Sequence, residues 1–332
     1  MEKKKVTAQM HEHVLKIKNI DGKILYTNSK ILVEGILDIY NKYGFSEPGL
    51  GYDIYNIEAE AAGQEVIFFK DSSPQTSQKK FLINSIKDYN KLKNIKIVKD
   101  GRMNFVVNTL KEFKEATHKT PPLQFCAPFS LAVALYGYER LVIDMYTKPK
   151  EVHELMNIIT ENILIPWIEY QKDIIPDWKI ALALPPNLTL DLIEEFVLPY
   201  IIKLKNSCGK NVGVVNWWGE SYVKDLDRFL DLKLKASPDK KILRVQDPDL
   251  EKIDLTKITD FVLKNDMDLT FGIGAKLLNG GKPNQIIERV KKYATEGMKI
   301  NNFSLYLCNI SKDTPEDNIY SVVNAVRELI KN

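Results

Sequence analysis

The sequence is short of cysteine and short of any charge imbalance. Its 332 residues hold three cysteines, Cys126, Cys208 and Cys308, far apart along the chain. An odd, sparse set of this kind excludes a disulfide scaffold and suits a reducing compartment. Lysine and arginine number 47 against 44 aspartates and glutamates, a net charge of +3. The concentrated basic face of a nucleic-acid-binding protein is therefore not expected, and Lys3-Lys4-Lys5 reads as a solvated start. No uncharged apolar run approaches the ~18 residues needed to span a bilayer. No apolar stretch follows Met1 as a secretory signal would require. These absences point to a cytoplasmic protein without a membrane or nucleic-acid partner. No low-complexity linker divides the chain either, so one domain over residues 1–332 is expected. That length fits a single (β/α)8 barrel with extensions.

What is present is alternation. Strand-like runs at 5–9, 65–69, 123–126, 179–184, 211–217, 242–246, 268–272 and 302–307 are separated by helix-like runs. The helical ones are 28–43, 105–117, 150–172, 190–206, 222–232, 282–296 and 315–331. Strand following helix in this way implies a parallel sheet. Val212-Gly213-Val214-Val215 and Ile180-Ala181-Leu182-Ala183-Leu184 are the buried type of run that helix-covered parallel strands show. About eight units favour a closed barrel over an open sheet. The first strand is followed by His-Glu-His and not by Gly-x-Gly, which excludes a Rossmann nucleotide site. The expected fold class is thus α/β, a (β/α)8 TIM barrel with an N-terminal extension. Its chemistry would sit at the C-terminal strand ends.

Five clusters fall at such ends. In Gln9-Met10-His11-Glu12-His13, a continuing strand would point His11 and His13 the same way, and two imidazoles on one face can share a metal ion. The plainer alternative is a pair of hydrogen-bonding histidines. In the segment from Gly51 to Gly63, Asp53 precedes a helix and suits either an N-terminal cap or a catalytic acid. Tyr55 follows it, while Glu58 and Glu60 read as helix-surface or structural acids. Asn216-Trp217-Trp218-Gly219-Glu220 places two indoles at a strand end, suited to walling a planar substrate or to core packing. Asp247 follows a strand directly and faces the mouth or caps a helix. Cys308 ends the last strand-like run, as a buried structural thiol or a soft metal ligand. Phe125, near the end of the 123–126 run, joins the substrate wall.

A family pattern runs through these residues. Ala127-Pro128-Phe129-Ser130-Leu131-Ala132, Gly137-Tyr138-Glu139-Arg140-Leu141-Val142-Ile143-Asp144-Met145 and Lys148-Pro149-Lys150-Glu151-Val152-His153-Glu154-Leu155 resemble the central signature of the uroporphyrinogen decarboxylase superfamily. Tyr52-Asp53 with Glu58-Ala59-Glu60-Ala61-Ala62-Gly63 and the closing Asp313-Thr314-Pro315-Glu316-Asp317 fit it too. The resemblance implies the barrel already favoured. True decarboxylases of the family carry an arginine-rich first-strand motif for substrate carboxylates, and residues 9–13 contain no arginine. The His-x-Cys zinc pair of the coenzyme M methyltransferases falls on Asn216-Trp217-Trp218 and is absent, although Cys308 matches their later cysteine. The start at Gln9, Tyr55-Asn56-Ile57-Glu58-Ala59-Glu60 and Asp100-Gly101-Arg102-Met103 look more like the methyltransferase components of anaerobic O-demethylase systems.

The resemblance implies transfer of a methyl group from a small, aromatic methyl ether to the Co(I) corrinoid of a separate protein, since no Asp-x-His-x-x-Gly corrinoid signature occurs in this chain. His11, Glu12 and Asp53 are the catalytic candidates. Tyr55, Phe125, Asn216, Trp217, Trp218 and Asp247 are the substrate-binding ones. His13, Glu220 and Cys308 are candidate zinc ligands. A decarboxylating lyase, a metal-dependent hydrolase and a non-catalytic binding protein on the same barrel are the alternatives.

Overall fold

The computed structural model describes residues 5–45, 48–93, 95, 102–121, 123–172, 179–182 and 188–331. Among them lie seven parallel strands and one small hairpin. The parallel strands are β1 (Lys5–Ala8), β4 (Leu123–Cys126), β5 (Lys179–Leu182), β6 (Val212–Asn216), β7 (Ile242–Gln246), β8 (Asp268–Ile273) and β9 (Phe303–Leu307). The hairpin pairs β2 (Val66–Ile67) antiparallel with β3 (Gln75–Thr76). One parallel sheet runs β1-β9-β8-β7 and the other β4-β5-β6; β6 abuts β7. The gap between β1 and β4 is filled by residues 48–53. The Gln124 side chain donates to Leu50 O at 2.8 Å, and the Tyr52 hydroxyl donates to Gln124 O at 2.8 Å. On the other flank, the Tyr40 hydroxyl bonds Gly49 and also donates to Ala8 O at 2.9 Å. Residues 48–53, held by these side-chain bonds, thus stand in for the eighth strand and close the (β/α)8 barrel.

Side chains alternate across each strand, and the two faces differ sharply. Leu243 and Val245 of β7, Leu269 and Phe271 of β8, and Leu305 and Leu307 of β9 are buried. Phe271 meets Tyr293 of helix Pro283–Gly297 edge-on at 5.8 Å, which fixes this row as the outward, helix-covered face. The inward row is polar: Arg244 and Gln246, Thr270, then Ser304, Tyr306 and Cys308. A barrel interior is ordinarily filled by branched apolar residues. Gly272 keeps this interior open. A Cβ there would stand 2.4 Å from the Gln246 Cβ and 2.8 Å from the Cys308 Sγ.

Differences from the sequence reading are local. The expected strand at 65–69 is the hairpin strand β2, too short and antiparallel to belong to the barrel. The run at 150–172 is three consecutive pieces, helix Pro149–Ile158, a π turn Ile159–Leu164 and helix Ile165–Lys172. The helix expected from 222 starts later, as Leu226–Ala236, because Asp225 caps it by accepting from Arg228 N at 3.0 Å. Residues 183–184 of the expected fourth strand, and Asp100 and Gly101, lie outside the described residues. The extra N-terminal length follows β1: among the described residues, five α-helices, one 3-10 helix and the hairpin lie between β1 and β4. No helix among the described residues is long and apolar enough to cross a membrane.

Gly213, on the outward face of β6, tests this packing. A Cβ there would lie 2.2 Å from Pro238 N and 2.6 Å from Ser237 C, both backbone, whereas one at Gly280 meets nothing within 4 Å. Overpacking of this kind costs about 1–3 kcal/mol or more. Urea unfolding of Gly213→Ala should show that loss, and Gly280→Ala should match the parent chain or exceed it.

Candidate functional site

The polar interior is richest where the first and last strands meet. β1 and β9 pair in register, Thr7 opposite Tyr306, so Gln9 and His11 leave β1 beside the end of β9. The Tyr306 hydroxyl donates to Gln9 Oε1 at 2.9 Å. The Arg244 guanidinium lies over the Tyr306 ring, 4.4 Å from its centre. Cys308 Sγ donates to Gln246 Oε1 at 3.0 Å. Burial holds the Cys308 thiol protonated far above its ordinary range, against the opposing pull of the Arg244 charge. Tyr55 faces the same space, bonded to the Asn216 side chain and within electrostatic reach of Arg244. The Trp218 indole donates to Asn216 Oδ1 at 3.3 Å.

A hydrogen-bonded chain leads into this space. His11 Nε2 is 3.0 Å from Gln9 Nε2, and its Nδ1 is 2.7 Å from the Tyr26 hydroxyl. The Tyr26 hydroxyl is 3.0 Å from Ser73 Oγ, which donates to Glu12 Oε1 at 2.5 Å. Glu12 also accepts from Ser73 N at 2.9 Å. His11 is buried and Glu12 is half-buried. Burial lowers the His11 pKa, with Glu12 and Asp53 pulling the other way, and favours the neutral ring. With Ser73 donating to Glu12, Tyr26 donates to Ser73 and His11 Nδ1–H to Tyr26; the opposite sense takes the other His11 tautomer, a flipped Gln9 amide, rotated Tyr26 and Ser73 hydroxyls and a proton on Glu12.

Asp53 stands beside His11. It occupies the position before helix Ile54–Ala61 but makes no side-chain cap bond, so the cap reading is corrected. Its carboxylate instead pairs with Arg102 and accepts from Asn56 Nδ2 at 3.0 Å. Burial raises the Asp53 pKa, and Arg102 pulls it down. Arg102 also reaches Glu60 at 3.3 Å and covers the Phe68 ring at 5.3 Å. A further acid, Glu58, is wholly buried behind Asp53. It accepts from Cys126 N at 3.3 Å and Trp167 Nε1 at 3.1 Å, and burial pushes its pKa up to about 7.

Other candidates point elsewhere. The strand ends at Ala8, and a helix begins at His13, so His11 and His13 do not share a face. His13 meets Ser311 O at 2.9 Å and the Tyr43 hydroxyl at 2.8 Å; both ring nitrogens are taken by the helical shell. Glu220 pairs with Lys233, which donates to Trp217 O and Arg244 O at 2.9 Å each, an outer clamp on β6 and β7. Trp217 is on the outward face of its strand and stacks on Phe229 at 6.3 Å, so only Trp218 of the two indoles borders the mouth. Asp247 is held by Gly274 N at 3.0 Å, Arg289 at 2.8 Å and the Tyr293 hydroxyl. Phe125 is wholly buried in the core. The zinc ligands read from the sequence therefore do not gather. Among the described residues no three of His, Cys, Asp and Glu are placed to hold a metal ion. The site residues that sequence reasoning passed over are Gln9, Tyr26, Ser73, Arg102, Arg244, Gln246 and Tyr306. Period-two polarity in β7 and β9 signals Arg244, Gln246 and Tyr306; nothing local signals the rest.

Glu58 gives the site a measurable pH dependence. Its native pKa of about 7 stands above an ordinary glutamate value of 4.5, so the native state holds a proton that the unfolded chain releases. Stability from this group is full below about pH 4.5 and is lost as pH rises to about 7. In Glu58→Gln the amide oxygen keeps both bonds without the buried charge. Relative to the parent chain, this variant should gain roughly 3 kcal/mol between pH 4.5 and pH 8. Denaturant titrations at both pH values measure the difference, and a pH-independent one would remove the assignment.

The model of the uroporphyrinogen decarboxylase (URO-D) family matches residues 4–329. A methyltransferase from Methanosarcina mazei superposes with a TM-score of 0.79 at 16% identity, covering 99% of this chain and 95% of that one; at this identity the likeness speaks for the fold. SacUVDE aligns over 99% of this chain and 100% of its own at 12% identity, with a TM-score of 0.45, too loosely to bear on the fold. No curated protein matches the sequence. With the family pattern spanning the barrel from β1 to its last helix, the chain belongs to the uroporphyrinogen decarboxylase (URO-D) family.

Proposed function

We propose that this chain is a methyltransferase that moves a methyl group from a small aromatic methyl ether to the Co(I) corrinoid of a separate protein. The observation that carries this reading is the Glu12–Ser73–Tyr26–His11 chain, which joins a half-buried carboxylate to the polar mouth. Ether cleavage by a nucleophile at carbon has one chemical difficulty, the basic oxygen that departs. The corrinoid cobalt supplies the nucleophile, and the chain's own residues must supply the proton. With the Gln9 amide oxygen toward the ring, His11 carries its proton on Nε2 and gives it to the departing oxygen as the methyl C–O bond breaks. In the same step Nδ1 takes a proton from Tyr26, Tyr26 from Ser73 and Ser73 from a protonated Glu12, which regains its proton from solvent, so that His11 stays neutral throughout. Placing a general acid in this manner contributes typically 10²–10⁴-fold. Asp53, fixed by Arg102, stands beside His11 as a neighbouring charge. Tyr55, Asn216 and Trp218 wall the donor ring. No step runs through zinc, because the donor set does not fit it: His13 and Glu220 are already bonded and Cys308 stands apart from both.

The family also contains decarboxylases. The eight carboxylates of a porphyrinogen need many cationic partners, and residues 9–13 contain no arginine. The test mixes the purified chain with a corrinoid protein in the Co(I) state and a panel of methoxyarenes, following the cobalt spectrum. His11→Ala should slow methyl transfer by about 100-fold or more. Tyr26→Phe, which breaks the chain at one hydroxyl, should be slowed less. If no donor methylates any corrinoid protein while the chain decarboxylates uroporphyrinogen, the reading is wrong.

A further inference from the structure

The groups of the proton chain sit on three separate pieces of backbone. His11 and Glu12 follow β1, Tyr26 ends the short helix Gly22–Leu25, and Ser73 belongs to the loop between β2 and β3. The Tyr26 and Ser73 hydroxyls are 3.0 Å apart although 47 residues separate them in sequence. Neither segment sets that distance by itself. It depends on how the loop is seated on the helix.

One residue touches both pieces. The Gly22 carbonyl accepts from Tyr26 N at 2.9 Å, and the Gly22 N–H donates to Lys70 O at 2.8 Å. Its bare α-carbon lies against the loop. A Cβ there would stand 2.2 Å from Phe69 O, 3.0 Å from Ser72 O and 3.4 Å from Lys70 O. All three are backbone oxygens of the stretch that leads into Ser73. Gly22 is not in the left-handed region, so close approach of two backbones calls for glycine, not conformation. Beyond this contact the loop is fixed, because Ser73 N donates to Glu12 at 2.9 Å and Asn56 Nδ2 donates to Pro74 O at 2.7 Å. The Asp71–Lys312 pair also reaches the loop, but it is exposed and such pairs contribute little. A carbonyl in a loop held at both ends cannot swing aside as a side chain would. Adding one methyl group at residue 22 therefore parts the loop from the helix and lengthens the Tyr26–Ser73 link.

We propose that Gly22 is a positioning residue for proton delivery: it seats the Ser73 loop on the Tyr26 helix and so holds the two hydroxyls in reach. The inference rests on the proton-chain reading above, and its test separates the two. Methyl transfer to the Co(I) corrinoid protein is measured for Gly22→Ala, Ser73→Ala and the double variant, with the fastest methoxyarene of the panel. Each single variant should lower kcat by about tenfold or more at unchanged donor KM, since Tyr55, Asn216 and Trp218 lie on other elements. The double variant should be no slower than the slower single one, because both break the same link. A merely structural defect would instead add to the loss at Ser73. Gly280→Ala, with open space around it, should keep the parent rate. Hydrogen exchange of the peptide over residues 69–75 should rise in Gly22→Ala while β7, β8 and β9 keep their protection. If circular dichroism shows Gly22→Ala unfolded, exchange in the parent chain decides. The Gly22 and Ser73 amides should then open together, and a freely exchanging Ser73 amide beside a protected Gly22 overturns the seat. A parent rate for Gly22→Ala beside a slow Ser73→Ala, or additive losses in the double variant, overturns the positioning role alone. A parent rate for Ser73→Ala removes the proton-chain reading, and the positioning role with it.

Discussion

The parallel pairing of β1 with β9 is the contact on which the site depends. It joins the two ends of the chain, and the Tyr306–Gln9 bond beside it links residues 297 positions apart. Closing so long a loop carries a large entropic cost, which the ladder and the apolar outward row of both strands offset together. Once the pair is formed, Gln9 and His11 emerge beside Tyr306 and Cys308. The side-chain bridges across residues 48–53 then bring Asp53 in from the other flank.

Barrel closure divides each strand into two solvents. The outward row sits under helices and is apolar; the inward row of β7, β8 and β9 is polar and kept open by Gly272. A polar interior is tolerable only where its groups find partners. That requirement explains the dense bonding of Asp247, Glu220 and Asp53, all acids at or near strand ends that are satisfied from helices outside the barrel. Their carboxylates are thereby turned toward structure. What remains directed inward is a set of neutral donors and acceptors with Arg244 among them.

The two N-terminal histidines show how finely this division works. They are two residues apart and both buried, yet one turn of chain separates their environments. His11 faces a tyrosine and a glutamine of the mouth, while His13 starts a helix and bonds Tyr43 and Ser311 in the shell. Their separation follows from the strand ending at Ala8.

Much of this was legible in the linear chain. Periodicity and the buried character of the strand runs determined the parallel α/β barrel, and β4 and β7 have the bounds that the residues imply. Strand-end position marked His11, Glu12, Asp53, Asn216 and Trp218, and alternation alone would have added Arg244 and Tyr306. The tertiary structure decided the rest. Whether a strand continues five residues beyond its ladder, as His13 required, depends on a partner strand and not on local preference. Which of two adjacent indoles faces inward is set by register, and a one-residue step reverses it. The partners of a buried acid come from helices far along the chain: Arg102 for Asp53, Lys233 for Glu220, Arg289 for Asp247. A sequence carries the charges, but only packing determines which of them are matched.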